Sequence, residues 1–529
     1  MALSRRHLLK ATLGATQLAL LAKVGGPKAA RAQTFDGPDK LLTLFLGGGW
    51  QSPWSFIPMS AQQIATSIPA PITTLGEPIW FSASQVVNLD GTSGTGGAIP
   101  PLRVARLWDQ AALAAGMPDP RTGGQTSPNG WSWVQHQLWN NALVVHGVDQ
   151  RTVAHVGGQV SALTGIASSE FKSPSLQAWA ADGLFSRFPD RPLPSVWISG
   201  PAPELVGLRP EAAPASITRV SDIQFLYSNR LSRPWTNLKA SDVGVALPPR
   251  TFDGAALDGG FVLNPIEDRV ARRLRGYRGA VNPASENVLQ QLHDGLSGVS
   301  KVLARDVTSV VQATRGIEHT PRPFWAGAGT GHFAVDVPAF NSDGGGTWNA
   351  DFDLALKLLK SNICTSVAVS AQAPANQSWD NGHAEGHRSQ FVQVRAIFEV
   401  IGRLLGEMKA TPGQKAGKSL LDETLVVVLS DFARTWPNSG PTSDHWAANS
   451  VIFAGGGIET NRMLGGYDIV DPKAVGYDGT PLQIREDTGV VTRVPRSADI
   501  VTTALAVLGV TGVRISGGNG EILGVRKGT

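Results

Sequence analysis

Apolar positions in this chain gather into short dense runs separated by loops, and only some stretches repeat at helical spacing. Leu41-Leu42-Thr43-Leu44-Phe45-Leu46 reads as a strand covered on both faces, because a half-exposed strand would alternate apolar and polar residues, and Ala142-Leu143-Val144-Val145-His146-Gly147-Val148 reads as the next strong strand. The first ends in Gly47-Gly48-Gly49, a turn that lets backbone approach a ligand or a helix closely. A helix is expected after the second, from about Gly157 to Leu163. From residue 352 the pattern becomes regular: a helix, a strand over 363–370, a long helix over 388–409, strands over 424–430 and 450–454, and a helix near 497–508. Strands alternating with helices predict an α/β fold with a mainly parallel sheet flanked by helices.

The middle of the chain breaks this rhythm. Residues 200–350 carry a long helical stretch near 284–312, a basic amphipathic one near 266–277, and glycine-rich loops at Gly327–Gly331 and Ser342–Gly346. This third reads as an inserted subdomain or cap. Residues 82–100 and 119–130, rich in Gly, Ser, Thr and Pro, read as surface excursions. No internal repeat or coiled-coil heptad is present. With 529 residues, 42% of them hydrophobic, the chain can bury a large core, and its 60 glycines and 35 prolines are spread among 15 tryptophans, which excludes a collagen-like or disordered protein.

The amino terminus changes the reading of charge. Ser4-Arg5-Arg6-His7-Leu8-Leu9-Lys10, the modest apolar stretch Ala11–Ala22 and the small-residue site Ala30-Arg31-Ala32 form a twin-arginine export signal over residues 1–32. The apolar stretch falls well short of the roughly 20 residues that a spanning helix needs, so no stable membrane span is expected after cleavage. The mature chain, residues 33–529, then lies in the periplasm or outside the cell, with the twin-arginine translocation machinery as an expected partner. The signal holds six basic residues and no acidic one, so its removal takes the formal net charge from +4 to −2. The basic pI belongs to the precursor, and nothing in the mature chain suggests nucleic acid as a partner. Cys364 is the only cysteine, which rules out an internal disulfide, and its place in the apolar run Ile363–Ser370 predicts a small buried core residue.

Candidate chemistry collects in the last third. Trp379-Asp380-Asn381-Gly382-His383-Ala384-Glu385-Gly386-His387 places two imidazoles four residues apart, but Glu385 is at the third position of the His-x-x-x-His span rather than directly after the first His, so a zincin protease is not implied. Asp380 is equally a candidate helix cap. Asp431 ends the apolar strand Val426-Val427-Val428-Leu429-Ser430, and Arg434 follows with a forked donor suited to an oxyanion. Asp444-His445 lies on a loop before the apolar run Val451–Ala454, where such a pair is either a surface hydrogen bond or part of a site. Together Asp380, His383 or His387, Asp431 and His445 supply the carboxylate and imidazole mix that zinc, manganese or iron accepts. Trp50, Trp379, Trp436 and Trp446 neighbour these segments as core or as an aromatic rim. No Gly-x-Ser-x-Gly elbow, Walker loop or dinucleotide fingerprint is present.

Several of these segments, with the twin-arginine start, carry a family resemblance: Leu-Phe-Leu-Gly-Gly-Gly, Val-Val-His-Gly-Val followed by His155, Trp-Asp-x-x-His, Leu-Ser-Asp-Phe-Ala-Arg-Thr, Asp-His-Trp and Phe-Ala-Gly-Gly-Gly-Ile. The chain resembles the exported family called domain of unknown function 1501, which is related to the alkaline phosphatase and sulfatase superfamily. Ser497–Val510 is similar to the closing helix of sulfatase-like proteins. The resemblance implies a doubly wound α/β/α sandwich of alkaline phosphatase type. It implies metal ligation by Asp380, His383, His387, Asp431 and His445, and it puts His155 where Ser, Thr or a modified Cys attacks, with Arg434 on the substrate oxyanion. Active members also supply an aspartate at the end of the first strand, where this chain has Gly49-Trp50-Gln51-Ser52, so a site with a single divalent metal or with none is the expectation rather than one with two. Two functions follow: hydrolysis of a small-molecule or glycan phosphate or sulfate ester, or a non-catalytic envelope or extracellular binding and assembly role on the same scaffold.

Overall fold

A computed structural model describes residues 37–50, 56, 73–74, 77–78, 86–92, 99–105, 131–168, 173–188, 191, 193–198, 208, 215–217, 251–252, 255–256, 347–371, 387–434, 444–471, 476–518 and 520–529. Eight strands form the central sheet: β1 (Lys40–Leu46), β2 (Ala142–Asp149), β3 (Ser195–Ile198), β4 (Ala215–Ile217), β5 (Ser366–Ser370), β6 (Thr424–Ser430), β7 (Ala448–Gly455) and β8 (Arg462–Gly465). Their spatial order is β8-β2-β7-β6-β1-β5-β3-β4. Only β7 runs against its neighbours β6 and β2; the other strands all point the same way.

Alternation along β1 explains its continuous apolar run. Leu42, Leu44 and Leu46 enter one core with helices α3 (Thr347–Lys360) and α4 (His387–Ala410), through Phe352, Leu358, Phe398 and Leu404. Leu41 and Phe45 enter a second core on the opposite face with α1 (His155–Thr164), α2 (Leu176–Phe185) and α5 (Ser497–Val507). The expected α/β layering, with a mostly parallel sheet flanked by helices, is therefore present, with both faces of the sheet covered. Every residue of β1 and β6 is buried, and apolar area removed from water in this way stabilises the fold by roughly 25 cal/mol per Å².

Other expectations need adjustment. The strand expected at 450–454 extends over Ala448–Gly455, and the one at 363–370 begins only at Ser366. Within the presumed surface excursion of 82–100, Val86–Asn88 pairs with Arg103–Ala105 as a small antiparallel ladder. Cys364 is fully buried, and that burial pushes its thiol well above the ordinary range. Among the described residues no helix is long and apolar enough to cross a membrane. The export signal, the loops at 119–130, 327–331 and 342–346, and the helical stretches near 266–277 and 284–312 lie outside the described residues.

Candidate active site

The carboxyl ends of β1, β2 and β6 meet at one edge of the sheet, the place where open α/β sheets bind ligands. There β6 delivers Asp431, which is 2% exposed. Its carboxylate accepts from the amide of Gly49 at 2.7 Å, from that of Gly48 at 3.0 Å to each oxygen, and from that of Phe432 at 3.2 Å. The glycine turn after β1 thus closes on a protein carboxylate. Gly49 has φ +81°, and a Cβ there would stand 2.3 Å from the Phe432 ring and 2.9 Å from Arg434 Nε, so only glycine fits. Arg434 grips the same turn from its carbonyl side, with Nη2 donating to Gly48 at 2.8 Å and Nε to Gly49 at 3.3 Å.

His155 opens α1, and its Nδ1 lies 2.8 Å from Asp431 Oδ2. A carboxylate held by three amides is the acceptor, so Nδ1 carries the proton and the lone pair of the neutral ring is on Nε2. Gly158 allows this approach. A Cβ at that position would come within 2.2 Å of the Asp431 carbonyl oxygen. The positive end of the α1 dipole faces the same place.

His445 comes in on a two-residue antiparallel ladder, in which His445–Trp446 pairs with Ala433–Arg434. Its Nδ1 donates to the carbonyl of Val153 at 2.6 Å, so its tautomer matches that of His155. The two imidazoles meet edge to face with centroids 4.7 Å apart, and the Phe432 ring stacks on His445 at 4.0 Å and packs against His155 at 4.7 Å. Val153 and Val156, 47% and 57% exposed, form an apolar lip beside His155.

Behind these groups the backbone of Asp431 is braced. The Ser430 carbonyl accepts from Asn449 at 2.9 Å and from Gln150 at 3.3 Å, and Gln150 is fixed by Ser497 at 2.6 Å. Ser430 Oγ donates to the Leu46 carbonyl at 2.7 Å.

The structure therefore brings together His155, Asp431, Arg434 and His445 of the expected site. Asp380 and His383 lie outside the described residues, as do Trp379 and Trp436, and His387 is described only as the first residue of α4. Asp431, expected as a metal ligand, has five protein groups on its two oxygens: the amides of Gly48, Gly49 and Phe432, the Ser430 hydroxyl and His155 Nδ1. Among the described residues no group of three His, Cys, Asp or Glu could hold a metal, so these residues alone do not fit one. The expected oxyanion donor, Arg434, directs two nitrogens to the glycine turn. Trp50 is fully buried and belongs to the core rather than to a rim. Sequence reasoning missed the roles of Gly48, Gly49 and Phe432 around Asp431, although the glycine turn itself was the available signal.

The profile of a family described as Protein of unknown function (DUF1501) matches residues 360–486, which hold Asp431, Arg434 and His445. No curated protein matches the chain. Among solved structures it is similar to Ps i-CgsB in complex with k-i-k-neocarrahexaose, at 8% identity and TM-score 0.27, over 71% of this chain and 66% of that one. It is also similar to the phosphonate monoester hydrolase SpPMH from Silicibacter pomeroyi, at 13% identity and TM-score 0.23, over 71% of this chain and 68% of that one. Scores this low assign no residue a role.

Proposed function

We propose that this protein is an exported hydrolase of the phosphatase and sulfatase type, cleaving a small-molecule or glycan ester of phosphate or sulfate at a site centred on Asp431 and His155. The observation that carries the reading is the hydrogen bond from His155 Nδ1 to a carboxylate that three backbone amides hold rigid. It fixes one tautomer and presents Nε2 as the basic nitrogen, at the positive end of a helix where an anionic substrate is favoured. Export through the twin-arginine machinery, to the periplasm or beyond, belongs to the same proposal. A single divalent ion, zinc, manganese or iron, would be held by His445 with Asp380, His383 and His387, while Asp431 orients His155.

The test is direct. The protein purified from its exported location is assayed for metal content and against para-nitrophenyl phosphate, sulfate and phosphonate esters with several divalent ions. Turnover that disappears with His155→Gln while the fold persists supports the reading. A folded protein that hydrolyses none of the esters with any of the ions sinks it. One feature favours the non-catalytic alternative: the turn after β1 supplies Gly48 and Gly49 where a carboxylate would stand in an active relative of the resembled superfamily. On that alternative Asp431→Ala and His445→Ala leave the cellular role intact.

A further inference from the structure

Resting on that reading, we propose that the substrate carries a second anionic group, a sulfate or phosphate on its sugar or alcohol portion, and that Arg151 and Arg496 hold that group beside the site. The loop from β2 into α1 bears Arg151 and ends at His155, so their Cα atoms are at most about 13 Å apart. Arg151 is exposed and has φ 58°, a left-handed conformation that disfavours any residue with a Cβ. Its amide donates to Asp149 Oδ1 at 2.7 Å, which holds the turn. Glycine would take this turn without strain, so what arginine adds there is its guanidinium.

The second cation arrives from the segment before α5. A parallel bridge sets Arg496 beside Asp149, whose amide donates to the Pro495 carbonyl at 2.8 Å. Arg496 Nη1 donates to the Gly517 carbonyl at 2.9 Å, and Arg151 Nη1 stands 3.8 Å from where a Cβ on Gly517 would be. Both guanidiniums thus reach one exposed glycine, and bond lengths across that residue keep the two Nη1 atoms within about 10 Å of each other.

Like charges this close repel, and the nearby carboxylates are engaged elsewhere. Asp149 receives the Arg151 amide, and Asp499 takes two nitrogens of Arg493 at 2.7 Å each and the Arg496 amide at 2.8 Å. Glu486 takes Arg493 as well, at 3.0 Å. Among the described residues neither Arg151 nor Arg496 makes an ion pair with a carboxylate. An anion that accepts from both forks relieves the repulsion, and the oxygens of sulfate and phosphate match such forks. The chain between Arg151 and His155 exposes Val153, and Val156 follows on α1. These apolar side chains suit the neutral part of the ligand, the face of a sugar ring or an aryl group, that joins its two anionic ends.

The test uses the full-length exported protein supplied with zinc, manganese or iron, and two matched pairs of ligands. One pair is a disaccharide bearing two sulfates against the same disaccharide bearing one; the other is a hexose bisphosphate against its monophosphate. Calorimetry measures binding, and release of inorganic sulfate or phosphate measures turnover. The doubly charged member of one pair is expected to bind roughly 10-fold more tightly and to show the higher kcat/KM, and the pair that does so distinguishes sulfate from phosphate. In Arg151→Gln and in Arg496→Gln that preference falls roughly 10-fold, and in the parent it shrinks as salt rises. Arg151→Gly separates binding from a structural role: relief of the left-handed strain keeps or raises the melting temperature while the preference is lost. Equal handling of both members in both pairs, or a preference that survives both substitutions, overturns the subsite and leaves the hydrolase reading in place. Binding that depends on both arginines without any turnover keeps the subsite and overturns the hydrolase reading. Neither binding nor turnover overturns both.

Discussion

The two ends of β1 bury charge in different ways. At its amino end Lys40 is fully buried, with its ammonium 3.0 Å from Asp39 and 2.9 Å from Glu423, and Arg191 reaches Asp39 at 3.2 Å. Burial raises the Glu423 carboxyl, but the amides of Gln414 and Lys415 and the Lys40 ammonium outweigh it and hold the group below its ordinary value. Charge meets opposite charge there, and the network is closed. At the carboxyl end Asp431 is almost as buried, yet its hydrogen-bond partners are neutral amides, the Ser430 hydroxyl and one imidazole. Burial of ionisable groups is common to both ends; the kind of partner separates a structural cluster from a candidate site.

The largest expected effect tests the carboxyl end. In Asp431→Asn the new amide can donate to His155 Nδ1, which moves the ring proton to Nε2 and removes the lone pair, so kcat for a phosphate or sulfate ester falls by roughly 10⁴-fold. The melting curve should stay near that of the parent protein, since the side chain keeps its shape. Lys40→Met is the mirror experiment. It leaves Asp39 and Glu423 facing each other without their shared ammonium, at a cost of about 3–5 kcal/mol in denaturant unfolding, while kcat of the folded fraction is unchanged. If Lys40→Met lowered kcat tenfold in fully folded protein, or Asp431→Asn unfolded the chain, the contrast between the two ends would be wrong.

Gly158→Ala probes how finely the site is placed. The added methyl would sit 2.2 Å from the Asp431 carbonyl oxygen and 3.0 Å from its Cβ, so either α1 or β6 must shift. Overpacking of this kind costs about 1–3 kcal/mol. The predicted signature is a loss of activity larger than the loss of stability implies, because the shift separates His155 from Asp431. A variant with parental kcat would show that the spacing tolerates more than the structure suggests.

Much of this contrast was legible in the sequence, and the reasons for the gaps are physical. β1, β2 and β6 announce themselves because both of their faces are buried and no polar residue interrupts the pattern for long. β3 spans only Ser195–Ile198 and β8 only Arg462–Gly465, too short for a periodic signal, and the antiparallel direction of β7 leaves no mark on composition. At the site the strand-end Asp431, His155 and His445 could all be named. What could not be read was the set of partners around Asp431, since a metal ligand and a carboxylate beside a histidine look alike in one dimension. Its amide partners, Gly48 and Gly49, come from a distant part of the chain.

His146 offers the finest test, because it is a histidine of the same sheet whose surroundings differ from those of His155. It is fully buried in β2, its Nδ1 bonds the Ser450 hydroxyl at 2.7 Å, and Ser450 in turn bonds Tyr467 at 2.6 Å. Burial, with a smaller contribution from the nearby Arg103 charge, pushes its pKa down to about 3, so it stays neutral in the folded protein where an unfolded imidazole would not. The unfolded chain therefore binds more protons below the ordinary value of about 6.5, and the stability this residue supports is complete above that pH and falls away as pH drops toward about 3. At about pH 5 the loss is about 2 kcal/mol, from 1.4 kcal/mol per pH unit. His146→Gln keeps a polar group beside Ser450 without the titration, so its unfolding free energy should fall less between about pH 7 and pH 5 than that of the parent, by about that 2 kcal/mol. Equal slopes for variant and parent would mean that His146 titrates normally in the fold, and that a hydroxyl partner holds a buried imidazole less strictly in one state than the carboxylate of Asp431 holds His155.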